Sequence, residues 1–422
     1  MRPAASCPTV SITRNKKPRV ETRGIHVHAI ARFPSVTTIL TGVLVMAASA
    51  TTPATACPFC GTVGQSLAQR RDAATVVAVA EAEGTAAADP GGFLAQRFRI
   101  DQMLRDPGPA AAVGATVPAR VAGQIAGTAV LFGAVRAAAP EATGVSLSWS
   151  AVAADESLLG YVAAAPASDL PAGERLRWFA ARLEHPDPAI AADAFTEFGL
   201  APFTAVRAAA SALDPARLRA WVSEPGIDAR RRGLYGLLLG VAATTADDPA
   251  VARDCIDALH QAVEAPADDF RAGFDGVLAG VLVAEGQAGL DFLGHRGLFG
   301  RQARPLDQRH LLAALRFAGE SLTETVPRER VVAATAGLLA SPAVAADATV
   351  DLARYRAWDV VAEVSRLWDT LGTDDPLVRR AVAGYLTACP LPAARQELER
   401  IGRQNPGLLK QALDAAALPM AR

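Results

Sequence analysis

The sequence predicts a mostly helical α+β chain of more than one domain: a small β-barrel or sandwich near the N-terminus, then a long α-solenoid of helical pairs. Three observations carry this reading. Short β-branched runs, punctuated by glycine and proline, are confined to about residues 57–166. From Leu170 those runs vanish and apolar stripes at helical spacing replace them. Helix-start signals then recur about every 40 residues, the period of stacked two-helix repeats.

Ahead of both parts lies a stretch read as an address. Residues 36–50 (VTTILTGVLVMAASA) carry no charge and are mostly apolar. The run is too short to span a bilayer, which needs about 20 apolar residues. Arg32 precedes it, and Ala54-Thr55-Ala56 follows with small residues at the −3 and −1 positions. Basic residue, apolar run and small-residue site in that order are a secretory signal. Residues 1–56 are therefore expected to be signal and n-region, with cleavage between Ala56 and Cys57 and export to the periplasm or beyond. Residues 1–31 are long for an n-region, which suits a translation start nearer Val27 or Val36.

Cys57-Pro58-Phe59-Cys60 then opens the mature chain. A lipoprotein peptidase favours a Leu-like residue at −3, where Ala54 stands, so a lipid anchor at Cys57 is the second choice. Gly61 occupies the place where a haem c motif needs His, and no second C-x-x-C or His pair completes a zinc site. The plainest expectation is a disulfide or thiol pair of Cys57 and Cys60 that pins the N-terminus. The tetrapeptide also resembles the glutaredoxin active site, which implies thiol–disulfide exchange. In that fold a strand precedes the motif and a helix N-terminus lowers the thiol pKa; here only the signal precedes it.

Cleavage leaves 366 of the 422 residues, enough for two or more domains. Seven of the 42 basic residues and one of the 43 acidic ones precede Cys57, so the mature balance is 35 against 42. A net-negative chain has no general footprint for nucleic acid. Cys255 and Cys389 fall on apolar helix stripes, where a lone Cys acts as a small buried hydrophobe; no bridge between them is expected.

In residues 57–166, Gln65 to Asp72 reads as a short helix. Ala74 to Ala82, Phe93 to Leu104, Thr116 to Ala122, Thr128 to Val135 and Val145 to Val152 read as five strands. Arg105-Asp106-Pro107-Gly108 is a turn signal, and Gly114, Gly123, Gly127, Gly133, Pro140 and Gly144 punctuate the strands. Asp155 to Ala165 closes the segment as a helix. An N-terminal Cys, a helix and then a Val-rich strand resemble the netrin-like oligonucleotide/oligosaccharide-binding (OB) barrel of the tissue inhibitors of metalloproteinases. That resemblance implies a protease-inhibitor-like module acting through Cys57. The inhibitors carry C-x-C and many further cysteines, which this chain lacks.

In residues 170–422, Leu234, Leu237, Leu238 and Val241 fall at i, i+3, i+4, i+7, as do Phe274, Val277, Leu278 and Val281. Asp-Pro pairs at 187–188, 214–215, 248–249 and 375–376 read as N-cap plus N1. Asp187, Asp228, Asp269, Asp307 and Asp347 are spaced 41, 41, 38 and 40 apart, and Asp375 follows after 28. Asp374-Asp375-Pro376-Leu377-Val378-Arg379-Arg380-Ala381-Val382 resembles the HEAT pattern D-x-x-V-R-x-x-A, and Asp228 to Leu234 is a looser copy. The whole arrangement resembles a group of exported bacterial helical-repeat proteins with Cys-Pro-Phe-Cys at the mature N-terminus. That likeness implies location and architecture and brings no activity with it.

No catalytic, metal or cofactor set emerges. His185, His260, His295 and His310 show no ligand spacing, and there is no G-x-S-x-G and no Walker loop. Trp178, Trp221, Trp358 and Trp368 lie at helical spacing from leucines and valines, as core residues do. The expectation is a non-enzymatic scaffold that binds a protein partner through its helical surface. Arg231 and Arg232 in one repeat and Arg379 and Arg380 in the last are its expected contacts, because a guanidinium fork suits carboxylates. Ties to acidic residues in a neighbouring repeat are the competing role for these arginines. The alternatives are thiol–disulfide chemistry at Cys57 and Cys60, or protease inhibition.

Overall fold

The computed structural model describes residues 64–106, 108, 111–135, 146–266, 270–300 and 302–417. The expected cleavage site, Ala56 with Cys57, and the Cys57/Cys60 pair lie outside those residues, as does Asp269. The chain is mostly helical, with a small closed five-stranded barrel towards its N-terminus.

Helix α1 (Leu67–Ala73) leads into β1 (Val76–Ala88), β2 (Leu94–Arg105), β3 (Thr116–Arg120), β4 (Thr128–Val135) and β5 (Leu147–Ala153). The strands close in the order β1-β2-β3-β5-β4, antiparallel except for the β3–β5 pair. Alternation sorts the side chains. Val76, Ala78 and Ala80 of β1 and Ala129 and Leu131 of β4 point into the barrel with Phe98, Ile100 and Trp149. Their neighbours Val77, Val130 and Phe132 point outwards into the helical core. Trp149 fits because its β4 partner is Gly133; a Cβ there would lie 2.8 Å from the indole. Buried Gln96 pins the loop before β4, donating to Ile125 O at 2.8 Å and accepting from Ile125 N at 3.0 Å.

The helices follow in order: α2 (Glu156–Ala164), α3 (Ala172–Ala180), α4 (Pro188–Leu200), α5 (Phe203–Ala208), α6 (Pro215–Ser223), α7 (Ala229–Thr245), α8 (Pro249–Glu264), α9 (Phe274–Glu285) and α10 (Gln287–His295). Then come α11 (Pro305–Ser321), α12 (Arg328–Gly337), α13 (Ala345–Arg354), α14 (Val361–Asp369), α15 (Pro376–Ala388), α16 (Pro392–Gln404) and α17 (Pro406–Ala417). Asp155, Asp187, Asp214, Asp228, Asp248 and Asp375 cap α2, α4, α6, α7, α8 and α15, each accepting a first-turn N–H. Asp307 and Asp347 are different. They sit inside the first turns of α11 and α13, whose cap positions are Arg304 and Val344. The aspartate spacing therefore mixes caps with first-turn positions.

A closer repeat lies in the glycines. Gly233, Gly236 and Gly240 of α7 recur 40 residues on as Gly273, Gly276 and Gly280, at and after the start of α9. The two helices meet backbone to backbone: a Cβ on Gly276 would stand 2.0 Å from Gly233 O, and one on Gly240 2.3 Å from Gly280 O. Beyond this contact, α9 packs on α11, α13 on α15, and α15 on α17. Helix α6 also packs on α8, and α14 on α16.

Candidate functional site

The loop ends of α6 to α9 enclose a groove of about 530 Å³. Arg232 in the first turn of α7 and Gln261 on α8 line it, as do Val222, Phe274 and Val277. Its wall between α8 and α9 is Arg271, held in the left-handed region at φ 48°. Arg271 Nη2 donates to Ala262 O at 2.9 Å and Val263 O at 3.0 Å, closing the last turn of α8. Its Nη1 lies 3.4 Å from Asp307 Oδ2, and its guanidinium carbon stands 3.5 Å above the Phe274 ring.

His310 of α11 holds the same loop from behind. Its Nε2–H donates to Phe270 O at 3.1 Å, and Nδ1 stands 3.7 Å from Asp275 Oδ1. Burial disfavours the imidazolium. Hydrogen bonding to Asp275 and to Phe270 O, with the Asp275 and Asp307 charges, outweighs that and raises the His310 pKa. Asp307 is 5% exposed, and among the described residues its Oδ1 has no hydrogen-bond partner. Phe270, by contrast, is 56% exposed beside the groove's wall.

The four arginines singled out from the sequence fall in different settings. Arg232 lines the groove and donates to Glu224 O at 2.9 Å. Arg231 turns away from it and bonds both Glu184 carboxylate oxygens at 3.1 Å. Glu184 also accepts from Tyr235 OH. Arg379 donates to Gly372 O at 2.6 Å and Thr373 O at 3.2 Å, tying the turn ahead of α15; Arg380, next to it in α15, is half-buried. The structure thus gathers Arg232 and Arg271 about one groove and keeps Arg379 and Arg380 apart at the far end of the array. Arg271 and His310 were missed as a pair because nothing local joins residues on different helices. The 40-residue glycine register was the signal that could have brought α7 and α9 together.

The remaining candidates sort plainly. His260 stacks on Phe292 at 3.7 Å and bonds Glu285 at 2.6 Å, His185 Nδ1 accepts from Asp187 N, and His295 Nδ1 bonds Asp291 O. Among the described residues, no three His, Cys, Asp or Glu side chains converge as a metal site, and no helix is long and apolar enough to cross a membrane. Cys255 and Cys389 are free and buried, and burial raises the Cys255 thiol pKa. Trp368 is buried; Trp178, Trp221 and Trp358 pack partly buried against the core.

A second polar cluster joins the barrel to the helices. Ser66 caps α1 and bonds Glu197, which also pairs with Arg175. One turn earlier on α4, Asp193 accepts from Leu67 N at 2.7 Å and from Tyr161 OH at 2.8 Å. All of these side chains except that of Leu67 are polar and buried. Desolvation raises the Asp193 pKa despite those two donors. Arg71 adds bonds to Val162 O and Ala165 O, and Asp72 accepts from Ser168 N. The cluster clamps the start of the barrel, six residues after Cys60, to α2 and α4. No protein-family model matches the chain, and no curated protein and no solved structure shows significant similarity to it.

Proposed function

We propose that this chain is an exported, non-enzymatic scaffold that holds a protein partner against its helical array at the groove beside Arg232. The observation that carries the proposal is the ordered succession of helices. α7 rests on α9 and α9 on α11, then α13 on α15 and α15 on α17, with α6 on α8 and α14 on α16. Such like-on-like stacking supports a HEAT-like solenoid, in which each helical pair contacts its neighbours and leaves a groove between pairs. The groove of about 530 Å³ offers an apolar floor of Val222, Phe274 and Val277 with Arg232 and Gln261 above it. An apolar anchor with a carboxylate beside it fits that chemistry. The strand order β1-β2-β3-β5-β4 supports an OB-type barrel at the other end.

Export and partner binding are tested together. Intact mass of the secreted protein should place the mature start at Cys57; a cytoplasmic protein that keeps Met1 overturns export, and an acylated Cys57 assigns a lipid anchor. A photo-crosslinker at Gln261 should trap one discrete partner, and Arg232→Glu should abolish that adduct without lowering the melting temperature. Crosslinking that is indifferent to Arg232→Glu removes the groove from the proposal. Insulin reduction by the purified mature chain, lost in Cys60→Ser, would replace the scaffold reading with thiol–disulfide chemistry.

A further inference from the structure

A smaller pocket of about 210 Å³ opens where α1 meets β4 and β5. Arg70, Arg120, Ser148, Ser150 and Trp149 line it, and among the described residues its lining contains no Asp or Glu. The guanidinium of Arg70 is half-buried there, stacked over Phe132 at 4.7 Å. Its Nη2 donates to Ser150 Oγ at 3.0 Å. Among the described residues no carboxylate stands within ion-pair distance of it. Asp193 is felt through space, yet both of its oxygens already accept from Leu67 N and Tyr161 OH.

Half-burying a cation without a paired anion is costly. Burial accordingly pulls the Arg70 pKa down, with Asp193 opposing. The remaining donors are well placed for an oxyanion. Among the described residues the Nε and Nη1 hydrogens of Arg70 have no acceptor, and Ser150, which accepts from Arg70, keeps its own hydroxyl hydrogen. Arg120 adds a second cation to the lining; its nearest carboxylate is Asp89 at 3.7 Å, and it stacks over Phe93 at 3.9 Å. Phe132 and Ala134, on the same outer face as their β5 partners Ser150 and Ser148, supply an apolar surface.

We infer that this pocket binds a small organic carboxylate, gripped by Arg70 and Ser150 with its apolar body against Phe132 and Ala134. A planar fork matches a planar carboxylate in a paired hydrogen bond. The volume, roughly seven waters' share of liquid, suits a small acid. The inference is independent of the groove beside Arg232.

Calorimetric titration of the full chain with benzoate, at constant ionic strength, tests it. Saturable one-to-one binding is expected, weakened about ten-fold or more in Arg70→Lys, which keeps charge and loses the fork. Ser148→Leu fills the pocket without touching Arg70 and should abolish binding, so the test survives if Arg70→Lys folds poorly. The absence of saturable heat, or binding unchanged in Ser148→Leu, overturns the site. Saturation by inorganic phosphate with none by benzoate overturns the carboxylate assignment.

Discussion

Leu67, the first residue of α1, donates its amide to Asp193 of α4 across 126 positions of sequence, at 2.7 Å. The bond satisfies an N–H that a helix start leaves without an internal partner. It does so with a carboxylate that is 6% exposed and also accepts from Tyr161 OH. Asp193→Ala should therefore orphan two donors and cost about 1–3 kcal/mol for each that stays buried. Chemical denaturation should show the loss, and limited proteolysis should cut the α1 region first. A variant as stable as the parent would mean that α1 docks through its apolar contacts alone. The acid side has a definite sign. The Asp193 pKa is raised in the fold, so its contribution is fully present below the unfolded value of about 3.9 and is lost as pH rises through the folded value.

His310 follows the same rule in a more accessible range. Its folded pKa is raised, so its contribution is complete below about pH 6.5 and fades as pH climbs through the higher folded value. The melting-temperature gap between parent and His310→Asn should narrow as pH rises above about 6.5, the unfolded value. A gap of constant width would show that the contact to Phe270 O acts without the charge.

The glycine seam makes a sharp contrast. A Cβ on Gly236 would stand 2.7 Å from Val277 Cα, backbone that cannot step aside. Gly236→Ala should destabilise by about 1–3 kcal/mol or more through forced separation of α7 and α9. Gly160 in α2 has open space about it, and Gly160→Ala should stabilise by roughly 0.5–1 kcal/mol through helix propensity. Urea titration of both variants decides the matter; equal effects would mean that the two helices are free to shift.

Arg231 and Arg232 are adjacent and should respond differently. Arg231→Ala removes a tie from one guanidinium nitrogen to both Glu184 oxygens that is about one-fifth exposed at both ends. Solvent screening limits the loss to about 0.5–1 kcal/mol, a few degrees of melting temperature at most. Arg232→Ala should leave the melting temperature unchanged and impair partner capture. The reverse pattern would place recognition on Arg231.

Thiol labelling checks the core. Cys255 and Cys389, 0% and 5% exposed, should react only after denaturation. Rapid labelling of the native protein at Cys255 would contradict the packing of α8.

Much of this fold is legible in the sequence because its signals are local. Asp-Pro pairs cap helices through their own first turns, so Asp187, Asp214, Asp248 and Asp375 could be read directly. The strand Thr128–Val135 and the closing helix behind Asp155 emerge from β-branched runs and turn residues in the same way. Where a signal was not local, the reading slipped. Asp307 and Asp347 looked like caps by spacing alone, yet an aspartate in a first turn is also favoured by the helix dipole. Tertiary structure alone decided which helix faces meet. It closed the strands as β1-β2-β3-β5-β4, brought Gly233 against Gly276, set His310 behind Arg271, and left Arg70 without a carboxylate partner among the described residues. Caps and turns are fixed by atoms a few bonds apart. Close approach, desolvation and unpaired charge depend on neighbours tens of residues away, and a linear pattern does not contain them.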